Sequence, residues 1–366
     1  MKILQVNKLY YPSIGGVETA VRDIAEGLRD RADMHILACQ SRGRRKKEMI
    51  NGVAVTRAAS FGSWFSMPIS LDFLRLYKIL SKDAEVIQLH APFPLADLAL
   101  FLFRRKGKVV VWWHSDIVRQ KFFRWLLTPM INHALRRADA IIVSDDAVIN
   151  ASSFLHVHRP KCRIIPYGLD FSAYPVIESK VLQPKQPGVV KLLFVGRLVY
   201  YKGIEVLIRS MRAVNNAELF IVGSGKLEAS LKNEVHRSGM ENKIHFLGAL
   251  PPEDLLAAYC DCDVFIFPSI ANSEAFGICQ LEAMYYGKPV INTSLPTAVP
   301  TVSLHGVTGL TVPPGDTVAL AAAVNTLVKD NVLRKKYGMA AAQRVRDKYD
   351  RSQMIGAVYK IYEDCL

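Results

Sequence analysis

Long hydrophobic runs are what this sequence has least of. The most apolar stretch, PFPLADLALFLF from Pro92 to Phe103, is interrupted by Asp97 and flanked by Arg104 and Arg105. It falls short of the ~20 apolar residues that a membrane-spanning helix needs. The amino terminus, MKILQV, carries one Lys and passes at once into polar residues, so it reads as a first β-strand and not as a secretory signal. A soluble or peripheral protein is expected. Cysteine is sparse too. Cys39, Cys162, Cys260, Cys262, Cys279 and Cys365 form no CxxC pair and have no His at finger spacing, so free thiols in a reducing compartment are expected and a metal centre is not. No period of 20–50 residues repeats, which excludes a solenoid. No RRM, KH or helix-turn-helix signature accompanies the basic pI of about 9.5, so no nucleic-acid partner is expected.

What is present is a long globular chain with an uneven charge. At 366 residues it exceeds one ordinary core, and two domains of roughly 150–200 residues are expected. Half the residues are hydrophobic, 22% are charged, and the formal net charge is +14. Residues 1–170 hold 26 Lys+Arg against 15 Asp+Glu, a net +11; residues 171–366 hold 21 against 18, a net +3. A basic first half suits nucleic acid, an anionic membrane face or a phosphorylated acceptor, and composition does not choose among them.

Both halves alternate short apolar strands with amphipathic helices, the pattern of βαβ units around a parallel sheet. In the first half the strand candidates are Ile3–Val6, His35–Ala38, Val53–Thr56, Glu85–Gln88, Val109–Trp112, Ala140–Val143 and Arg163–Ile165, with helices beginning near Val17, Ser70, Pro94, Val118 and Asp145. In the second they are Lys191–Val195, Glu218–Val222, Lys243–Phe246, Val264–Phe267 and Pro289–Asn292, with helices beginning near Lys202, Lys226, Glu253, Gly277 and Asp316. The segment 174–188 contains three prolines and separates the series. The expected layout is a domain over 1–173, a linker over 174–188 and a second domain over 189–349. The closing stretch 350–366, helical over Gln353–Tyr362, is a candidate for packing back on the first domain. Two doubly wound domains of this kind would present the C-terminal ends of their strands to one central cleft.

The residues able to do chemistry sit at predicted strand ends. After Val264–Phe267 the chain reads SIANSEAFG and enters a helix near Gly277. Open backbone N–H groups at such a terminus suit an anion or sugar hydroxyls. Glu274 lies on the loop and Glu282 about a turn and a half into the helix, and carboxylates accept readily from vicinal hydroxyls. A capping glutamate followed by a solvated one fits the same letters. After Lys191–Val195 come Gly196, Arg197, Lys202 and Gly203, two cations with glycines that admit close backbone approach, which suits a diphosphate. Two solvated cations on an ordinary turn fit equally. After Ile3–Val6 a loop from Tyr10 ends in Gly15 and Gly16 at a helix start, again with N–H groups open to phosphate or simply a glycine turn. His114 follows Val109–Trp112 in WWHSD; a lone His is structural more often than catalytic, but its strand-end position favours the site.

In combination these motifs resemble the retaining glycosyltransferases of family 4, with the GT-B fold. The resemblance rests on GG-x-E after the first strand, a His after a middle strand, GR and KG opening the second domain, VGSG from Val222 to Gly225, and E-A-F-G-x₄-E from Glu274 to Glu282. It covers nearly the whole chain in order and spacing. It implies that Arg197 and Lys202 hold the donor diphosphate and stabilise the leaving group, and that Glu282 binds the ribose. Glu274, with Ala275, Phe276, Gly277 and Ile278, would grip the transferred sugar. It further implies that His114 lies near the reacting carbon, that Gly15 and Gly16 close on the phosphates, and that Gly223, Ser224 and Gly225 turn toward the nucleotide base.

No cofactor and no metal are expected. Asp261-Cys-Asp263 spells a DxD but precedes its strand, at the wrong end for the cleft, and Gly223-Ser-Gly225-Lys226 matches neither GxGxxG nor GxxxxGK[ST]. Arg42–Lys47 lies in an expected loop. Arg119–Leu127, with Arg104, Arg105, Lys106 and Lys108, would attach the first domain to an anionic leaflet or form a solvated cationic face over an aromatic core helix. Segments Asn292–Pro300 and His305–Gly315 are most similar to bacterial mannosyltransferases of O-antigen and exopolysaccharide assembly. The resemblance therefore implies transfer of a hexose, mannose from GDP-mannose first and a UDP-sugar as the alternative. The acceptor would be polyprenyl-diphosphate-linked, a glycolipid or a saccharide, and the setting cytoplasmic or peripheral on the inner face of the membrane.

Overall fold

The computed structural model describes the chain except for residues 14, 65–66, 117–120 and 179 and the side chains of 63–64 and 121–126. The expected helix start near Val118, the cation Arg119 and Ile14 of the glycine loop lie outside the described residues.

The chain divides into two compact units, residues 1–167 with 351–366, and residues 168–350. The first is built from β1 (Lys2–Val6), α1 (Gly16–Leu28), β2 (Asp33–Cys39), β3 (Lys46–Ile50), β4 (Val53–Ala58), β5 (Ser63–Trp64), β6 (Met67–Pro68) and α2 (Leu71–Leu80), followed by β7 (Val86–Ala91), α3 (Pro94–Leu102), β8 (Lys108–Trp113), α4 (Lys121–Arg137), β9 (Ala140–Val143), α5 (Asp146–Ala151) and β10 (Cys162–Ile164). Eight strands form one sheet in the order β10-β9-β8-β7-β1-β2-β4-β3. All neighbours are parallel except the pair β3–β4. Strands such as KVVVWW of β8 are buried on both faces, as a helix-covered parallel sheet requires. Alternation sends Leu4, Leu89, Val111 and Trp113 into one core. The opposite face carries Gln5, Gln88, His90 and Trp112, all buried.

Strand β3 corrects the loop expected over Arg42–Lys47. Lys46 and Lys47 pair with Arg57 and Thr56 of β4 at the sheet's rim. Apolar periodicity misses such a strand, because an exposed edge is protected by charge rather than marked by hydrophobicity.

The second unit comprises β11 (Val190–Val195), α6 (Ile204–Ser210), β12 (Ala217–Val222), α7 (Glu228–Arg237), β13 (Ile244–Gly248), α8 (Pro252–Asp261), β14 (Val264–Ile266), α9 (Ile278–Tyr285), β15 (Val290–Thr293), α10 (Val299–Val302), β16 (Gly309–Val312), α11 (Thr317–Lys329) and α12 (Asn331–Lys348). Its six strands are parallel in the order β13-β12-β11-β14-β15-β16. Numbered within the unit this is 3-2-1-4-5-6, the doubly wound order, whose direction reverses between β11 and β14. A final helix, α13 (Arg351–Cys365), belongs to the first unit, where Ile355 occupies the space beside Gly27 of α1.

Two boundaries differ from the sequence expectation. The first unit closes at Tyr167 rather than at 173, and 174–188 is not a free linker. The Tyr174 hydroxyl donates to Glu282 at 3.0 Å, Leu182 N–H to Asp261 at 2.9 Å, and the Lys185 and Gln186 N–H groups to the two oxygens of Glu218 at 2.9 and 2.8 Å. The prolines remove N–H groups, and three of those that remain, on Leu182, Lys185 and Gln186, find carboxylates of the second unit, so the segment is strapped down.

Candidate active site

In an open α/β sheet the loops beyond the strand ends splay apart where the strand order reverses, and ligands bind there. In the second unit those loops follow β11 and β14. The first runs Gly196-Arg197-Leu198-Val199 into a short 3-10 turn, Tyr200–Lys202, and then Gly203. Gly203 has φ +68°, and a Cβ on it would collide with the carbonyl oxygen of Pro268, so only glycine lets the two loops touch. The second loop is tied to the first by Ile270 N–H to Tyr201 O at 2.8 Å, and to its own flank by Thr293 Oγ1 to Ser269 O at 2.6 Å and Ala298 N–H to Ala275 O at 2.9 Å.

Between these loops Lys202 Nζ and Glu274 Oε2 form a buried ion pair at 2.6 Å, each side chain 11% exposed. Nζ also lies 4.9 Å from the centroid of Phe267. Burial is the largest influence on the Lys202 ammonium and pulls it down, but the charge and hydrogen bond of Glu274, with smaller contributions from Cys279 and Tyr201, together displace it upward. Lys202 is therefore a fixed cation whose head group is held by one carboxylate. Arg197 is its contrast: exposed, with Nη2 donating to the Tyr201 hydroxyl at 2.8 Å.

Helix α9 begins at Gly277, φ +82°, where a Cβ would strike the ring of Phe267. Ala275 is half-buried and Phe276 buried, its ring edge-on to Tyr349. Ile278 opens the helix and is half-buried. The turn is pinned by Gln280, whose amide donates to Phe276 O at 2.9 Å and accepts from Asn292 Nδ2 at 3.0 Å; Asn292 accepts in turn from Thr311 Oγ1 at 2.7 Å. Glu282, half-buried, receives the Tyr174 hydroxyl at 3.0 Å and the Tyr259 hydroxyl at 2.6 Å. Burial raises its carboxyl despite both bonds. Glu274 and Glu282 are thus held differently, one by a charge and one by two phenols.

Gly223, Ser224 and Gly225 follow β12 and lie against the Gly196–Leu198 loop. A Cβ on Gly223 would meet Gly196 O, one on Gly225 would meet Leu198 O, and Leu198 N–H donates to Ser224 O at 2.9 Å. Close backbone packing alone thus requires both glycines. The DxD pair is likewise structural: Asp261 takes Lys191 Nζ and Leu182 N–H, and Asp263 takes Lys191 N–H at 2.7 Å.

In the first unit the order reverses between β1 and β7. The loop after β1 rests on Arg57, which donates to Tyr10 O at 3.2 Å and to Tyr11 O. It ends at Gly15, in extended backbone, and Gly16, the first residue of α1. A Cβ on Gly15 would displace the carboxylate of Glu18. His114 follows β8, its N–H extending the ladder to Ala91 O at 2.9 Å. It is 4% exposed, and both ring nitrogens are occupied, Nε2 by His90 Nδ1 at 2.9 Å and Nδ1 by the Tyr167 hydroxyl. Burial, and secondarily His90, hold it well below the ordinary histidine range, so it is neutral.

The structure therefore brings Lys202, Glu274, Arg197, Gly277 and the 223–225 loop together in the second unit, and Gly15, Gly16 and His114 to strand ends of the first. Sequence reasoning missed Tyr174, Tyr259, Gln280, Asn292 and His90. Tyr174, Tyr259 and His90 act on partners distant in the chain and Gln280 and Asn292 on each other, and only His90 carried a signal, near the end of an apolar strand two residues after Gln88. The proposed membrane patch divides: Arg105 is bound to Ser81 Oγ at 2.8 Å and Lys78 O at 2.6 Å, and Lys108 to Asp139 at 3.4 Å, while Arg104 and Lys106 are exposed. Among the described residues no helix is long and apolar enough to cross a membrane.

Comparison with known proteins agrees across the chain. Residues 14–173 match Glycosyltransferase Family 4 and residues 178–344 match Glycosyl transferases group 1. The D-rhamnosyltransferase WbpZ of Pseudomonas aeruginosa is 32% identical over 95% of this chain and 92% of its own. The O-antigen chain mannosyltransferase C of Escherichia coli is 30% identical over 100% and 99%. Among solved structures, HepE of Anabaena, determined in complex with UDP, superimposes with a TM-score of 0.81 at 21% identity over the full length of both chains.

Proposed function

The chain belongs to the family 4 glycosyltransferases, with the GT-B fold, and from that premise we propose that it is a retaining mannosyltransferase using GDP-mannose in O-antigen or related polysaccharide assembly. The observation that carries the site reading is the buried Lys202–Glu274 pair at the strand-order reversal, with Arg197 exposed beside it. Cleavage of the anomeric C–O bond leaves an oxocarbenium-like sugar and a nucleotide diphosphate. Lys202, Arg197 and the N-terminus of α9 neutralise the diphosphate as its charge develops, so the leaving group needs no metal ion. Glu274 and the Ala275–Ile278 turn hold the sugar hydroxyls, Glu282 the ribose, and the 223–225 loop the base. Glu282 reaches the ribose with lone pairs that its two tyrosines leave over.

In the first unit Gly15 and Gly16 contribute N–H groups to phosphate, and His114 contributes a neutral imidazole near the reacting carbon. Retention follows from front-face attack by the acceptor hydroxyl, with the departing phosphate taking its proton. Glu274 is engaged by Lys202 and Glu282 by two phenols, so neither is placed as a covalent nucleophile. The acceptor is a lipid-linked diphosphate saccharide or glycolipid, and Arg104 and Lys106, exposed beside the apolar Phe101 and Leu102, favour peripheral attachment to an anionic inner leaflet.

The mannose assignment leans on the name of the E. coli relative. It is tested by nucleotide release from a panel of GDP- and UDP-sugars with a lipid-diphosphate saccharide acceptor, followed by NMR of the new anomeric centre. GDP release that requires both mannose donor and acceptor, with an α-linked product from the α-donor, is the expected result. Turnover with a UDP-sugar alone overturns the donor, and an inverted product overturns retention.

A further inference from the structure

A line of buried polar side chains crosses the first unit from α13 to Tyr167. Gln88 and His90 alternate onto one face of β7, opposite Gln5 of β1 and Trp112 of β8, and His114 lies one step beyond Trp112 on that face. Tyr362, fully buried on α13, donates its hydroxyl to Gln88 Oε1. Gln88 Nε2 lies 3.3 Å from His90 Nε2, His90 Nδ1 lies 2.9 Å from His114 Nε2, and His114 Nδ1 meets the Tyr167 hydroxyl. The rings of His90, Trp112, His114 and Tyr167 stack within 10–23° of parallel.

The Tyr362 hydroxyl donates to Gln88 Oε1, so the Gln88 amide turns its NH₂ group to His90, and from that bond the direction of donation along the rest of the line follows. An amide nitrogen can only donate, so His90 Nε2 must be the bare nitrogen. A neutral imidazole carries one hydrogen, which then sits on Nδ1 and points at His114 Nε2. That nitrogen must be bare in turn, and the His114 hydrogen sits on Nδ1. Burial keeps both rings neutral, which is the state this counting requires.

We propose that Tyr362, Gln88 and His90 are positioning residues that fix His114 as the Nδ1–H tautomer, so that it meets the substrate as a hydrogen-bond donor and not as a base. Its single lone pair is taken up inside the fold by His90. The atom able to exchange partners is Nδ1–H, by leaving the Tyr167 oxygen for a substrate oxygen. The closing helix of the chain thereby sets the hydrogen position of a ring that follows a strand some 250 residues earlier. The kinetic consequence rests on the reading of His114 as substrate-facing; the tautomer assignment does not.

The test uses the full-length protein with ¹⁵N-labelled histidine. Two-bond ¹H–¹⁵N spectra distinguish protonated from bare ring nitrogens, and His114→Gln assigns the His114 signals by their loss. The expected spectrum shows His90 and His114 both protonated at Nδ1 and bare at Nε2 from pH 6 to 8. Protonation of either ring at Nε2 in the wild-type protein overturns the proposal, whatever the variants do. Tyr362→Phe and Gln88→Leu should each lose the pure Nδ1–H signature and lower kcat roughly tenfold with donor KM within about twofold. An unchanged tautomer in both variants removes them from the chain. Wild-type turnover in His114→Gln would overturn the role of His114 in transfer while leaving the spectral assignment standing.

Discussion

Lys202 and Glu274 show how a side chain's surroundings decide what a motif letter means. A lysine after a strand is ordinarily solvated, yet here it is 9% exposed and its partner 8%. Because the pair is buried, removing either member strands the other's charge, a loss of about 3–5 kcal/mol. Lys202→Ala and Glu274→Ala should therefore lower the thermal midpoint of the second unit as well as abolish transfer. The double replacement Lys202→Met with Glu274→Gln should recover most of the lost stability and none of the activity. Calorimetry beside a nucleotide-release assay checks this; activity in the double variant would remove the pair from the site. The sign of the pH effect follows from the upward displacement of Lys202. Its contribution is present below the ordinary 10.5 of a lysine and is lost only as pH rises through the higher folded value, so acid does not weaken the pair through the lysine.

At the scale of elements, the site depends on loops held backbone against backbone. Gly203 combines a left-handed φ with direct contact on Pro268 O, and Gly338 of α12 sits with no room for a Cβ beside Gly287 O at the end of α9. Gly203→Ala should cost more than ~1 kcal/mol from its conformation alone, and the clash should push the β14 loop away from Lys202. The expected outcome is a lower midpoint together with weaker donor binding, measured by calorimetry and titration of the nucleotide sugar. Unchanged donor affinity would show that the loops are not coupled. The strands and helices that carry these loops were legible from alternation and periodicity, and their caps agree: Ser70, Asp145 and Asp316 each accept a first-turn N–H. Among the elements that escaped were β3, β16 and α12. One is a charged edge, one a four-residue strand beginning at glycine, and one a helix with Lys and Arg distributed all round.

The whole molecule titrates through groups that the fold has sealed. In the first unit burial lowers His90 to about 3 and raises Asp97 to about 7, and burial with the neighbouring His90 holds His114 well below the ordinary histidine range. Below the ordinary 6.5 of histidine the unfolded chain binds two protons that the folded unit refuses, so stability falls on acidification. Between about 7 and the ordinary 3.8 of aspartate the folded unit holds a proton on Asp97 that the unfolded chain has released, which offsets one of the two. The net slope from pH 6.5 to 4 from these groups is about 1.4 kcal/mol per pH unit, towards instability in acid. Asp97→Asn should raise the midpoint at pH 8, where the buried carboxylate is charged, and should steepen the acid slope by about 1.4 kcal/mol per pH unit. All four tryptophans lie in the first unit, so their fluorescence follows its unfolding selectively. A slope unchanged by the substitution would place Asp97 in contact with solvent.

The sequence by itself determined the two parallel-sheet units, the family, and the identity of the strand-end residues, because apolar periodicity and glycine-bearing turns are local properties that neighbouring letters carry. It also placed Glu274 and Glu282 eight residues apart on one loop and helix. Only the tertiary structure decided that Glu274 answers a lysine 72 positions away while Glu282 answers Tyr174 and Tyr259. Likewise only the fold turned the prolines of 174–188 from a linker into a strap, and brought Tyr362 onto Gln88. Ion pairs and hydrogen bonds act over ångströms of space, and separation along the chain leaves no trace of which groups will meet.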